Sequence, residues 1–239
     1  TYNRTTDVNG WATMNINLQP GEYEALCAYY GPQKSDNAFA KAVIKVLPTI
    51  LADNLVKYYL NGSQFHVKVI DGSGNPIVNT NVSMNINGVF YVRQTNSEGI
   101  ATLNIKLWSG KYILTVHNPY DGLLKSFDVT VLPTIESNDL VKYYHNDSQF
   151  YAKFVDGAGN PLVNTKVKFN INGVLYTRET NGEGVAKLNI NLNPGEYILT
   201  SIHPNGLQVG KKVTVLPTLE GSDLTMNYKD GSQFKARLV

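Results

Sequence analysis

An all-β chain of tandem sandwich domains is predicted from three observations. The text from Asn54 to Val131 returns from Asp139 to Val215: Leu55 recurs 85 residues on as Leu140, and Val131 recurs 84 on as Val215, one loop residue having been lost. A fixed period of this size marks one structural unit copied in tandem. Within the unit, apolar positions keep a period of two. Phe65, Val67 and Val69 alternate with Gln64, His66 and Lys68, and Val82, Met84 and Ile86 alternate with Ser83, Asn85 and Asn87. That is the mark of half-buried strands. Finally, turn-forming residues divide each copy into seven short runs with no helical period. Seven short strands in about 85 residues argue an immunoglobulin-like β-sandwich of about seven strands.

Taken in order, residues 1–46 read as the second half of a unit. "YNRTTDVNGWATMNINLQPGEY" matches "YVRQTNSEGIATLNIKLWSGKY", placing Tyr2 on Tyr91, Gly10 on Gly99 and Tyr23 on Tyr112, and the loop after Tyr23 is longer than in the other copies. Residues 50–131 are a complete repeat. Its strands are expected at 55–59, 63–70, 82–86, 89–95, 100–107, 111–117 and 123–131. "DGSGNP" is a long turn, and "NG" at Asn87 and Gly88, between two alternating runs, demands a type I′ hairpin with positive φ at Gly88 and, by repetition, at Gly173. Both kinds of turn are expected to project from the array. Residues 135–215 are the second complete repeat. Residues 219–239 supply the first strands of another, Val239 aligning with Val155 and Ile70. The terminal pieces are either a window on a much longer repetitive chain, the favoured expectation, or halves that pair head to tail between molecules.

The junctions read "LPT" plus an aliphatic residue at 47–50, 132–135 and 216–219. Proline cannot donate to a ladder, so Pro48, Pro133 and Pro217 end one strand and stiffen the passage to the next. Links this short imply a semi-rigid rod rather than beads on a string. Repeat-to-repeat comparison names the core. Leu55, Phe65, Ile86, Tyr91, Ala101, Leu103, Ile105, Tyr112 and Val129 recur as Leu140, Phe150, Ile171, Tyr176, Ala186, Leu188, Ile190, Tyr197 and Val213. No cysteine pair brackets a tryptophan, so the antibody type of sandwich is excluded, and the single Cys27 reads as a small buried hydrophobe.

Composition narrows the function. A net charge of +2 with 17% charged residues, evenly spread, gives no basic face for nucleic acid. No apolar run is long enough to span a membrane. Chemistry is equally thin. His66, His117, His145 and His203 occupy different repeat positions and read as solvent-facing, and no serine has an adjacent base. Asp53, Asp139 and Asp223 near the links, with Asp71, Asp156, Glu98 and Glu183 in turns, give too few carboxylates for calcium, which wants six to eight oxygens. Isopeptide cross-linking is disfavoured because Lys57 and Lys142 meet Met226 in the third copy. No catalytic residue, metal ligand or cofactor is therefore assigned. The candidate sites are four N-x-S/T sequons, Asn3, Asn61, Asn81 and Asn146, the second and fourth in the same turn of successive copies. Tyr58/Tyr59 and Tyr143/Tyr144 read as one core and one surface ring per pair.

The quoted motifs "DLVKYY.N.SQF", "DG.GNP", "NINGV.Y.R.TN.EG.A.LNI" and "PGEYILT" resemble the immunoglobulin-like repeats of adhesin-like surface proteins of methanogenic archaea and, more loosely, the bacterial immunoglobulin-like domains of invasin-type adhesins. The resemblance covers essentially the whole chain. It implies the stalk or fibre of an extracellular, cell-surface or wall-associated glycoprotein. Its partners would be neighbouring repeats or copies in a fibre, and cell-wall or host glycans or other cells. Two alternatives stay open: an array of carbohydrate-binding modules, which would need a recurring aromatic platform that Trp11 and Trp108 do not supply, and accessory domains of a wall-associated enzyme.

Overall fold

The computed structural model describes residues 1–239. The first strands are β1 (Gly21–Tyr29) and β2 (Ala38–Val46), joined by a loop with a 3₁₀ turn at Lys34–Asp36. The first complete unit follows as β3 (Ile50–Leu51), β4 (Leu55–Tyr58), β5 (Gln64–Val69), β6 (Asn81–Ile86), β7 (Val89–Gln94), β8 (Ile100–Asn104), β9 (Gly110–His117) and β10 (Leu124–Leu132). The second repeats it as β11 (Ile135–Ser137), β12 (Leu140–Tyr143), β13 (Gln149–Phe154), β14 (Lys166–Ile171), β15 (Val174–Glu179), β16 (Val185–Asn189), β17 (Gly195–Ile202) and β18 (Gln208–Leu216). Last come β19 (Leu219–Gly221) and β20 (Ala236–Leu238).

Each complete unit is an immunoglobulin-like sandwich of two sheets. In the first, β3-β5-β8 faces β4-β10-β9-β6-β7; in the second, β11-β13-β16 faces β12-β18-β17-β14-β15. The seven expected strands are present, with an eighth, because the opening strand is split. Ile50 and Leu51 pair with β5, whereas Leu55 to Tyr58 cross over and run parallel to β10, Leu55 opposite Val129. The second unit splits identically, with Leu140 opposite Val213. Crossing sheets lets one chain segment close an edge of both layers, which protects each from pairing elsewhere.

The alternation buries one face of each strand. Phe65, Val67, Val69, Val82, Met84 and Ile86 are at most 2% exposed. Every core residue named from repetition is either buried or packed against the buried cluster. A tilted Phe65–Phe127 pair at 5.4 Å in the first unit becomes edge contacts of Phe150 and Phe154 on Phe169 in the second. The hydroxyl of Tyr112 donates to the Trp108 carbonyl (2.9 Å), that of Tyr197 to Asn193 (2.8 Å) and that of Tyr23 to Gln19 (2.8 Å). This is the tyrosine corner of immunoglobulin-like sandwiches, present three times. The NG hairpins take the expected form: φ is 53° and 75° at Asn87 and Gly88, and 51° and 78° at Asn172 and Gly173.

The terminal pieces keep the register of the whole units. Tyr23 sits opposite Ile44 as Tyr112 sits opposite Val129, and Leu219 opposite Leu238 as Ile135 sits opposite Phe154. Neither piece has a facing sheet. Cys27 is consequently exposed, against the sequence expectation, although its counterpart Val116 is fully buried.

Candidate functional site: the junction between units

The strongest constellation lies where the two complete units meet. Only Pro133 and Thr134 separate β10 from β11. The turn after β4 carries Tyr58 and Asn61, and the loop after β13 is "DGAGNP". Asp156 shapes that loop: its Oδ1 accepts the backbone N–H of Ala158 and Asn160, each at 2.8 Å, and its Oδ2 accepts Asn160 Nδ2 at 3.2 Å. The Asn160 bonds foremost hold its carboxyl below the usual carboxylate range, and Asp71 is held likewise by Asn75.

Across the junction Asn61 Nδ2 donates to the Gly157 carbonyl at 2.7 Å. The Tyr58 ring lies so close to Gly159, at φ 88°, that a Cβ there would sit 2.6 Å from Tyr58 Cε2. The DGAGNP loop therefore does not project, as expected of it, but docks on the preceding unit. Glycine is what makes the approach possible, since any side chain would hold the two units apart.

Inside each unit the split strand is fastened by buried polar groups. Lys57, 3% exposed, crosses the sandwich to donate from Nζ to the carbonyls of Ser63 (2.8 Å) and Ile105 (3.0 Å). Lys142 does the same to Asn146 (2.6 Å), Ser148 (3.1 Å) and Ile190 (3.0 Å). Burial pushes the Lys57 ammonium below its ordinary value. Asn118, fully buried, donates from Nδ2 to the Ile70 carbonyl (3.2 Å) and Thr49 Oγ1 (3.1 Å). His203 takes this place in the second unit, with Nε2 at 2.9 Å from the Val155 carbonyl and Nδ1 accepting the Asn205 N–H at 3.0 Å. It is thus buried rather than solvent-facing, because it replaces a buried asparagine. His66 and His145 are exposed.

The sequons fall in different settings. Asn3 lies exposed in the strandless opening stretch, and Asn81 exposed at the start of β6. Asn61 and Asn146 each accept the N–H two residues on, from Ser63 (2.5 Å) and Ser148 (2.7 Å). Asn61 is committed to the junction, whereas Asn146 is exposed. Of the tyrosine pairs, Tyr59 is buried and stacks on Trp108 at 5.1 Å, while Tyr58 packs on the next unit. No group of three or more His, Cys, Asp or Glu side chains could hold a metal ion, and no helix is long and apolar enough to cross a membrane. An open groove of about 800 Å³ beside β11 is lined in part by Glu136, Tyr151, Lys153 and Lys211. Its counterpart in the first unit carries Leu51, His66 and Lys68 at the first three of these repeat positions, so the groove recurs but its chemistry does not.

No protein-family model and no curated protein matches the chain. Among solved structures it is similar to SGBP-B of the Bacteroides ovatus mixed-linkage glucan utilization locus, solved with a mixed-linkage heptasaccharide. The identity there is 15% over 90% of this chain and 59% of that one, with a TM-score of 0.29. It is also similar to invasin, a bacterial integrin-binding protein (16% identity, 73% of this chain and 41% of that one, TM-score 0.31). A third is the Escherichia coli adhesin FdeC (14% identity, 87% of this chain and 89% of that one, TM-score 0.28). The chain spans under two thirds of the length of the first two proteins.

Proposed function

We propose that the chain is a load-bearing segment of an extracellular adhesin-like surface protein, its units serving as stiff spacers and not as enzymes. The observation that carries this reading is the docked junction, in which Asn61 and Tyr58 grip the glycines of the following unit across a two-residue link. The split strand supplies the mechanics. The chain enters the first unit through β3 and β4 and leaves by β10, and β4 and β10 are adjacent and parallel, as are β12 and β18 in the second. Tension therefore shears their ladder and loads its hydrogen bonds together rather than unzipping them one at a time. Tyr59 N–H to Leu132 (2.9 Å) and Asp128 N–H to Asn54 Oδ1 (2.9 Å) extend that patch, and Tyr144 to Leu216 (2.9 Å) and Lys212 to Asp139 (2.8 Å) repeat it. The sequence resemblance to archaeal and bacterial adhesin repeats supports the same reading and an extracellular, wall- or surface-associated setting.

Pulling the chain by its ends in single-molecule force spectroscopy tests it. Two unfolding events of equal contour length are expected. Tyr59→Pro, which removes a shear-patch donor, lowers the force of one event well beyond the Tyr59→Ala control and leaves the other unchanged. Unfolding without resolvable force, or equal forces for the two variants, overturns the proposal.

A further inference from the structure

The Asn61 turn carries two readings of the same atom. "NGS" at Asn61 is an N-glycan acceptor, in which the amide Nδ2 becomes bonded to a sugar. That Nδ2 is the donor that ties the first unit to the Gly157 carbonyl of the second at 2.7 Å. Its own Oδ1 is held by the Ser63 N–H, so the side chain cannot swing away without losing the turn. The loop backbone lies directly against this turn, since a Cβ placed on Gly157 would sit 3.5 Å from Asn61 Cα, and Asn61 itself is half-buried. Asn146 repeats the sequon and the turn, with Oδ1 held by Ser148 N–H; the loop that would meet it would follow Val239, so in this chain it presents the same turn without a docking loop.

We infer that coupling and modification compete for this amide: docked, it ties two units together and is shielded from a glycosyltransferase, and it accepts a glycan where the junction is open. A glycan at Asn61 would therefore mark a junction that was open when it was modified. In the transfer, Nδ2 bonds to the anomeric carbon of a phosphate-activated sugar. The bond from that carbon to the phosphate oxygen breaks, and an amide proton leaves to the enzyme's base. The inference rests on the docked junction that also carries the load-bearing reading; loss of Asn61 protection with both force events intact would sink the inference alone.

The test treats the folded 239-residue chain with a soluble N-glycosyltransferase and a nucleotide-activated hexose, and follows each site by peptide mass spectrometry. Each rate is divided by that of the free peptide covering 56–66 or 141–151, which removes sequence preference of the enzyme. Asn146 is expected to react at least about tenfold faster than Asn61 on this scale, the equivalent of about 1.4 kcal/mol of protection. Gly159→Ala, which drives a methyl into Tyr58, should bring Asn61 to within about threefold of Asn146, and Tyr58→Ala should move it the same way without straining the loop. Equal relative rates in the unmodified chain, or Asn61 still protected in both variants, overturns the inference.

Discussion

At the scale of single residues, the two units serve as each other's controls. Ser201 is fully buried with no hydrogen-bond partner for its hydroxyl, and the first unit has the buried Val116 at the same position. Burying an unpaired hydroxyl costs roughly 1–3 kcal/mol. Ser201→Val is thus expected to stabilise the second unit by about 1 kcal/mol, read as a higher urea midpoint at unchanged slope. His203 gives the pH counterpart. Burial foremost lowers its pKa, against smaller opposing effects of Val155 and Asn205, so the folded unit binds a proton less readily than the unfolded chain does. Its native bonding needs the neutral ring, with Nε2 donating and Nδ1 accepting. The stability this confers is complete above the ordinary histidine range and is lost as the pH falls through that range towards the lowered folded value. The second unit should lose melting temperature between pH 8 and 5, and His203→Asn, which installs the first unit's residue, should flatten that dependence. An equal acid slope in both proteins would show that His203 is not its source.

Elements follow from local chemistry where the chemistry is local. The NG hairpin needed nothing beyond two residues, and Asn87 and Gly88 adopt the left-handed backbone that the type I′ turn requires. Gly88→Val is expected to cost its unit about 1 kcal/mol or more, since a β-branched residue is forced to positive φ. An unchanged melting temperature would contradict the turn. Seven strands and the core list were legible for the same reason: alternation and repetition report on them directly. The eighth strand was not, because Ile50 and Leu51 are too few to show a period and follow a proline that reads as linker. Docking of DGAGNP was hidden too, since Gly157, Gly159 and Asn61 are residues that turn chemistry alone explains. His203 could have been placed by aligning it with Asn118, had burial been inferred through the shortened loop.

Across the whole molecule, near-identity between neighbours has a price in folding. β4 and β12 carry the same four residues, LVKY, and each pairs with a strand far along the chain, Leu55 with Val129 and Leu140 with Val213. The ladder of β10 cannot tell one LVKY from the other by its side chains. Only the length of intervening chain favours the correct partner, and loop-closure entropy grows slowly with length. Hairpins of β9 with β10 and of β17 with β18 close early and offer two equivalent vacancies to two interchangeable strands. Refolding from denaturant is therefore expected to show a slow, concentration-independent minor phase from strand-exchanged molecules, which a chain with Val141→Thr and Lys142→Met, divergent at one copy, should lose. In such an array, emergence of one unit before the next during synthesis would let each LVKY strand find its own β10 or β18 partner before a second copy exists.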